Sequence, residues 1–359
     1  MCSRVVRRTD NSLFELNLEK AIHRVEDLYY KSDGKCYLSF SGGKDSTIVL
    51  AIIKICQDKG IIPPNSVPAV YCDTQIELDA TFEFVQWVKE NYYESVEIIK
   101  PTKSFATVIR EFGKPFRSKV KSYTISYFQN KPESKSAQYL YDDTVCKSKK
   151  ARLSDKDFHI IHPNFDIKIS RECCDELKKR PFKKYAEENG ILGYFVGTRA
   201  AEGGARELAY DRAIRLGLSP CTQVKGNITI KAPLVDWNDE MCEEFIKRYD
   251  VPLSRAYTEY GMKRTGCFLC PFDQDIVGRM EILKKFEPNK YKASLFFMKD
   301  VYIAQGVELV FDDEYMAEYN EAWEKYKWMR LEMLKKYRPC CQLCKRLERG
   351  MTLNESVIL

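Results

Sequence analysis

Six residues in a row, Ser41-Gly42-Gly43-Lys44-Asp45-Ser46, have the types and spacing to hold phosphate. Glycines leave backbone N–H groups open to close approach by phosphate oxygens, and the start of a following helix adds partial positive charge. Lys44 supplies a full charge. The Ser41 and Ser46 hydroxyls can donate hydrogen bonds, whereas Asp45 suits orienting the loop or a metal ion. Cys36 to Phe40 reads as a short buried strand, and Ser46 to Lys59 as a helix, with Ile48, Val49, Ile52, Ile53 and Cys56 at helical spacing. The run therefore falls in a strand-to-helix turn. Its spacing differs from a Walker A loop, which has four residues between its first glycine and the Gly-Lys pair.

A second constellation is made of sulfur. Cys173-Cys174 precede one helix, and Cys267-Phe268-Leu269-Cys270 follow a glycine turn. The Cys-x-x-Cys pair can face one metal centre, and another pair brought in by the fold completes four-sulfur ligation. Adjacent cysteine side chains diverge, which suits different irons of one cluster better than a single zinc. A [4Fe–4S] cluster on Cys173, Cys174, Cys267 and Cys270 is the favoured occupant, with zinc as the alternative. A third group, Cys340, Cys341 and Cys344 beside Arg338 and Lys345, reads as reactive thiols or as metal ligands shared with a remote residue such as Cys2. Cys36, Cys56, Cys72, Cys146, Cys221 and Cys242 read as core or loop residues. With His23, His159 and His162 the only histidines, a histidine-rich metal site or a Ser-His-Asp triad is disfavoured.

A chain of 359 residues that is 44% hydrophobic and 31% charged has the composition of an ordinary soluble globular protein. Met1-Cys2-Ser3-Arg4 runs into charge without an apolar leader, and the longest apolar stretch is broken by Lys54, so neither export nor membrane insertion is expected. In the cytoplasmic location this implies, the 14 cysteines read as thiols or metal ligands and not as disulfides. The net charge of +6 is unevenly placed: Lys103 to Arg152 holds 12 Lys and Arg against 4 Asp and Glu, making it the positive patch of the protein.

Strands at Val67–Asp73 and Val96–Lys100, with a helix from Asp79 to Tyr92 between them, extend the alternation begun by the loop. The order predicts an α/β fold with a doubly wound, mostly parallel sheet, whose ligands bind at the carboxyl ends of the strands. A helical segment occupies 1–34, the nucleotide domain 35–290, and a helical extension with the last cysteine group 291–359. Within the domain, 114–170 reads as a basic insertion. Order resumes with a helix at Cys174–Asn189, strands at Tyr194–Gly197 and Ile228–Pro233, and a helix capped by Asn238. Met316, Tyr319, Trp323, Tyr326 and Arg330 form a stripe expected to pack on a core.

Five segments together resemble the PAPS/APS reductase family of the PP-loop adenine-nucleotide α-hydrolase superfamily. The loop itself is one. Asp73-Thr74-Gln75-Ile76-Glu77 resembles the family's Asp-Thr-Gly-x-x segment, and Gly197 to Arg206 its Gly-x-Arg-x-x-Glu-x-x-x-Arg stretch. Pro233-Leu234-Val235-Asp236-Trp237 is similar to Pro-Leu-x-Asp-Trp, and Gly266-Cys267-Phe268-Leu269-Cys270 to the closing Gly-Cys-x-x-Cys. The resemblance implies a Rossmann-like fold and an adenine-nucleotide site that includes Asp73, Thr74 and Gly197. Arg199 and Arg206 are then expected on phosphate or sulfate oxygens, Glu202 holding one of them, and Asp73 on Mg²⁺ or a ribose hydroxyl. Asp236-Trp237 reads as a structural corner.

Two departures bear on the reaction. No Glu-Cys-Gly-x-His tail follows, and Lys44, which sulfonucleotide reductases usually lack, is present. The pattern is nearest that of the ATP pyrophosphatase of DNA phosphorothioation systems, more loosely of cluster-bearing tRNA thiolases. That resemblance implies ATP with Mg²⁺ as the nucleotide, Lys44, Asp45, Arg199 and Arg206 as catalytic residues, and adenylylation of an acceptor before sulfur transfer. It also implies DNA or tRNA as a partner through the basic insertion and a cysteine desulfurase as sulfur donor. In the insertion, Tyr123, Tyr127, Phe128, Tyr139 and Tyr141 are interleaved with Lys119, Lys121, Lys131, Lys135, Lys147, Lys149 and Lys150. The alternatives are APS or PAPS reduction, with Cys340, Cys341 or Cys344 as nucleophile, and a nucleotide-binding regulatory subunit without catalysis.

Overall fold

The computed structural model describes residues 11–142, 145 and 152–338. Two compact units share the chain, which crosses between them after Pro101, after Lys178 and after Gly266. Up to the first crossing it forms α1 (Asn11–Lys31), β1 (Cys36–Phe40), α2 (Lys44–Asp58), β2 (Ala69–Cys72), α3 (Asp79–Asn91) and β3 (Val96–Ile99). Next come α4 (Phe105–Phe112), α5 (Lys119–Asn130), the single turn α6 (Lys135–Gln138), a 3₁₀ helix (Asp155–Ile161) and the short α7 (Glu172–Cys174). The third leg holds α8 (Arg180–Glu188), β4 (Gly193–Phe195), α9 (Ala205–Arg215), β5 (Thr222–Lys225), β6 (Ile228–Lys231), α10 (Asp239–Arg248) and α11 (Arg255–Thr258). The last holds α12 (Ile276–Phe286), α13 (Pro288–Ala304) and α14 (Asp313–Tyr337).

The first and third legs make the first unit, an α/β fold around one sheet of order β3-β2-β1-β4-β6-β5. All pairings are parallel except β5 with β6. Successive strands run outward from β1 through β2 to β3, and from β4 through β6, so the order reverses beside β1. That is the switch point where such sheets bind ligands. The core follows from pattern: α2 buries Ile48, Val49, Leu50, Ile52, Ile53 and Cys56, and α1 buries Phe14, Leu18, Ala21, Val25 and Leu28 at helical spacing. Trp237, fully buried, meets Phe14 at 6.3 Å and Phe245 at 5.4 Å between ring centroids. Strand β5 went unread in the sequence because its Thr-Gln-Val-Lys has no apolar face, and it is exposed at the sheet edge.

The second unit is helical. Its α14 turns Tyr319, Tyr326, Met329, Arg330, Met333 and Leu334 inward and packs on the 3₁₀ helix. One buried charge there is matched: Asp157 accepts from Arg117 (2.9 Å) and from the Ser154 hydroxyl (2.7 Å), and lies 3.6 Å from Lys121. Its carboxyl is held below the usual range, since Arg117, Ser154 and Lys121 outweigh burial. Within the 114–170 stretch, Ser118 caps α5 by accepting from the Lys121 N–H, a signal visible in Ser-Lys-Val-Lys. The 290/291 boundary falls inside α13. Among the described residues no helix is long and apolar enough to cross a membrane.

Candidate nucleotide site and cysteine group

Ser41 to Gly43 turn the chain from β1 into α2. Gly42 sits at φ +68°, and a Cβ there would stand 3.0 Å from both Thr81 Cγ2 and Val85 Cγ2, so the position excludes other residues on conformation and on space. Gly43 takes the N-cap position of α2 without a side chain to cap it. The first-turn N–H groups are thus free of a local side-chain acceptor, apart from Lys44 N–H, which donates to the Tyr257 hydroxyl at 3.0 Å. The serines brace the turn: Ser46 donates to the Gly43 carbonyl at 2.8 Å, and Ser41 Oγ accepts from the Gly43 N–H at 3.3 Å. Ser46 is buried, so it shapes the cradle and Ser41 is the hydroxyl at the surface.

The end of β4 presses on this turn from the side. A Cβ on Gly197 would lie 2.8 Å from both the Asp45 carbonyl carbon and the Ser46 nitrogen. Two residues on, Arg199 is turned inward, its side chain 5% exposed. Its Nε donates to Asp45 (3.0 Å), Nη2 to Asp239 (2.7 Å) and Nη1 to the Trp237 carbonyl (3.4 Å). Three of the five N–H donors of the fork are therefore used within the protein, and Arg199 acts as a bracket tying the loop to the start of α10. Asp239 also lies 3.9 Å from Lys44, and its carboxyl is held down by the hydrogen bond from Arg199 and by the charges of Arg199, Lys44 and Arg264.

Arg206 begins α9 and shares the buried Glu202 with Arg264, each pairing with the same Oε2. Their side chains are 44% and 65% exposed, so these guanidiniums face outward. Burial and the neighbouring Arg264 lower the Arg206 pKa. Among the described residues, Lys44, Arg199, Arg206 and Arg264 pair with three carboxylates, those of Asp45, Glu202 and Asp239, and the excess charge favours an anion. The sequence reading missed Arg264, Asp239 and Tyr257, whose hydroxyl lies 3.2 Å from that of Thr265; the Lys263-Arg264-Thr265 run just before the Cys-x-x-Cys turn was the available signal.

Beside the loop, Asp73 directly follows β2 and accepts from the Gln75 N–H at 3.1 Å, with Lys100 at 3.8 Å. Thr74 donates to Glu77 at 2.6 Å. Asp73 and Thr74 are thus seated just past a strand end by local bonds. Gln75, standing where the family pattern has glycine, adopts φ +63°, a left-handed conformation costly for a side-chain residue. Gln75→Gly is expected to raise stability by about 0.5 to 1 kcal/mol, the relief of strain outweighing the added freedom of the unfolded chain. A urea midpoint that falls would contradict this. Asp236, by contrast, is a corner: Arg24 donates to both its oxygens, at 2.7 and 2.8 Å.

Cys173, Cys174, Cys267 and Cys270 all belong to the second unit, are not joined in disulfides, and act electrostatically on one another. A hydrogen bond between the neighbours raises the Cys173 pKa and lowers that of Cys174, which Lys119 and Lys178 depress further. Burial, then Cys267, push Cys270 up to about 12. A π-helical turn, Asp175–Lys179, follows the first pair directly. The second pair is pinned by Arg279, which donates to the Cys267 carbonyl at 2.8 Å, and by the Tyr302 hydroxyl on the Leu269 carbonyl at 2.9 Å. Among the described residues no three His, Cys, Asp or Glu side chains are drawn together tightly enough to hold a metal ion as they stand. Cys2, Cys146, Cys340, Cys341 and Cys344, with Lys147, Lys149 and Lys150, lie outside the described residues.

The model of the phosphoadenosine phosphosulfate reductase domain matches residues 35–145 and 141–272. The chain belongs to that family. An uncharacterized protein of Methanocaldococcus jannaschii is 25% identical over 288 residues, which are 79% of this chain and 46% of the relative. The chain therefore spans about half the length of the curated relative it matches. The crystal structure of phosphoadenylyl-sulfate (PAPS) reductase from Candida auris, a phosphate complex, aligns with a TM-score of 0.41 at 13% identity, covering 72% of this chain and 96% of that one. Within the PAPS reductase domain as matched fall the loop, the Arg199 bracket, Arg206, Arg264 and all four gathered cysteines.

Proposed function

We propose that this member of the PAPS reductase family is a cytoplasmic ATP pyrophosphatase that activates an acceptor for sulfur transfer. One observation carries the reading: the loop keeps Lys44 and an uncapped helix start at the sheet's switch point, with two outward arginines to spare. A lysine there suits gripping a pyrophosphate and stabilising the charge it carries away. In this reading Gly42, Gly43 and Lys44 hold the β and γ phosphates, Ser41 adds a hydroxyl, and Arg206 with Arg264 receives the α-phosphate or the acceptor. Asp73, Thr74 and Gly197 border the nucleotide, while Arg199 and Asp45 position the loop. An acceptor oxygen attacks the α-phosphorus, the bond from that phosphorus to the bridging oxygen breaks, and the electron pair leaves with pyrophosphate. A sulfur nucleophile, supplied through a donor such as a cysteine desulfurase, then attacks the activated carbon or phosphorus and AMP departs.

Mg²⁺ is expected to arrive with the triphosphate, bound mostly by its oxygens. The four gathered thiols have the donor chemistry for a [4Fe–4S] cluster: Cys173, Cys174, Cys267 and Cys270 would hold it, with zinc as the lesser alternative. When bound, such a group would relay sulfur or electrons. The hydrogen bond from Cys173 and the charges of Lys119 and Lys178 lower the Cys174 pKa, and Arg279 with Tyr302 fixes the Cys-x-x-Cys turn.

Membership of the phosphoadenosine phosphosulfate reductase domain family favours sulfonucleotide reduction as the second reading. Product analysis separates the two. Anaerobically purified protein, assayed for iron and sulfide, is given labelled ATP and candidate acceptors, and in parallel APS or PAPS with a thiol reductant. AMP with pyrophosphate is the expected result. Sulfite release from a sulfonucleotide, or ATP binding without any turnover across DNA and tRNA acceptors, would replace the proposal with reduction or with a silent nucleotide-binding subunit.

A further inference from the structure

We propose that the outer face of α5 is a stacking platform for unpaired bases of a single-stranded nucleic acid. Lys119, Tyr123 and Tyr127 follow one another at intervals of four residues, so they share a face of the helix, and Lys131 is the residue that caps its C-terminal end. Its opposite side, with Ser122, Thr124 and Ile125, is buried. Tyr123 and Tyr127 are each 37% exposed, their ring centroids 4.7 Å apart. The Arg171 guanidinium lies 4.3 Å from the Tyr123 ring, and its Nε has no hydrogen-bond partner among the described residues. Two exposed rings bracketed by cations form a surface that stacks a base and neutralises the phosphates on either side.

Charge bookkeeping in the surrounding stretch singles out this line. Lys114 is matched by Asp300, and Arg117 and Lys121 by Asp157, so those cations are structural. Lys119 and Lys131 are exposed and have no ion pair among the described residues. The platform also abuts the cysteine group. Arg171 immediately precedes Glu172-Cys173-Cys174, and the Lys119 charge acts on the Cys174 thiol. A base laid on Tyr123 is therefore held beside sulfur chemistry. A duplex keeps its bases stacked on one another and cannot use two tilted rings, which is why the occupant is single-stranded.

This inference rests on the acceptor-activation reading only in naming the acceptor's class. Fluorescence anisotropy of the full chain with labelled single-stranded DNA, single-stranded RNA and duplex of one sequence tests it. The single strands are expected to bind more tightly than the duplex, and the DNA and RNA arms identify the natural source. Tyr123→Ala with Tyr127→Ala should weaken single-strand binding by roughly 10- to 100-fold, and the paired Phe substitutions should restore it. Lys119→Gln should weaken binding to all sequences and flatten the salt dependence, a readout that stays informative if the alanine variant does not fold. Unchanged binding in the alanine and glutamine variants, equal duplex affinity, or binding of free AMP alone at these tyrosines would overturn the platform. ATP affinity measured without oligonucleotide is unaffected by these substitutions, so loss of the platform and loss of the pyrophosphatase reading are told apart.

Discussion

Gly197→Ala is expected to lower ATP affinity and pyrophosphate release together by roughly 100-fold, the scale of loss that follows an ångström of misplacement at a reacting group. The position adopts an ordinary backbone conformation, so strain of the residue itself is not the cause. Space is. The added methyl would sit 2.8 Å from the Asp45 carbonyl carbon and the Ser46 nitrogen, which are backbone atoms of the first turn of α2 and cannot swing aside as a side chain end can. The helix start must retreat, carrying Lys44 with it and pulling Asp45 from its 3.0 Å bond with Arg199. Overpacking of this kind also costs about 1 to 3 kcal/mol of stability. Titration calorimetry with a non-hydrolysable ATP analogue, alongside a melting curve, checks both effects. A folded variant with native affinity would show that the end of β4 does not locate the loop.

Acidification is expected to loosen the second unit well above the pH at which carboxylates ordinarily titrate. His159 is 1% exposed, and burial lowers its pKa from 6.5 to about 4, with Arg330 and Arg117 adding to the effect and Asp157 opposing it. Its Nε2 lies 2.8 Å from the Ala304 carbonyl, so the neutral ring donates there, and Nδ1 has no partner among the described residues. A folded pKa below the unfolded one means that the unfolded chain takes up the proton first. Stability is therefore fully present above pH 6.5 and falls as pH drops from 6.5 toward 4, by about 3 kcal/mol in all. Asp157, also depressed, adds a further loss below its usual 3.8, for the same direction of proton uptake. Denaturant midpoints between pH 7.5 and 4 should trace this slope, and His159→Gln should flatten it. A wild-type midpoint independent of pH over that range would mean the ring is accessible to water.

Much of the first unit was legible because its signals are local. The apolar run of β1, the glycine turn and the helical spacing of α2 are consecutive, so one stretch of chain states the whole phosphate cradle. Gly197 and Arg199 could be marked as site residues, but not their roles: that Arg199 faces inward depends on Asp239 and the Trp237 carbonyl, some 40 residues away and joined only by folding. Arg264 escaped for the same reason, its significance arising from a shared Glu202. The basic stretch was read by charge, which obscured the caps at Ser104 and Ser118 and the burial of Arg117 and Lys121 against Asp157. Composition counts charges and cannot say which of them are already spoken for.

The two cysteine pairs stand almost at the points where the chain leaves the second unit and returns to it, Cys173-Cys174 a few residues before Lys179 and Cys267 directly after Gly266. Whatever bonds to all four thiols thus staples shut a loop of about 90 residues, the entire third leg of the chain, removing on the order of 4 kcal/mol of loop entropy from the unfolded ensemble. Chelation or oxidation at these thiols would then register as a loss of cooperativity in melting, even in an assay blind to catalysis.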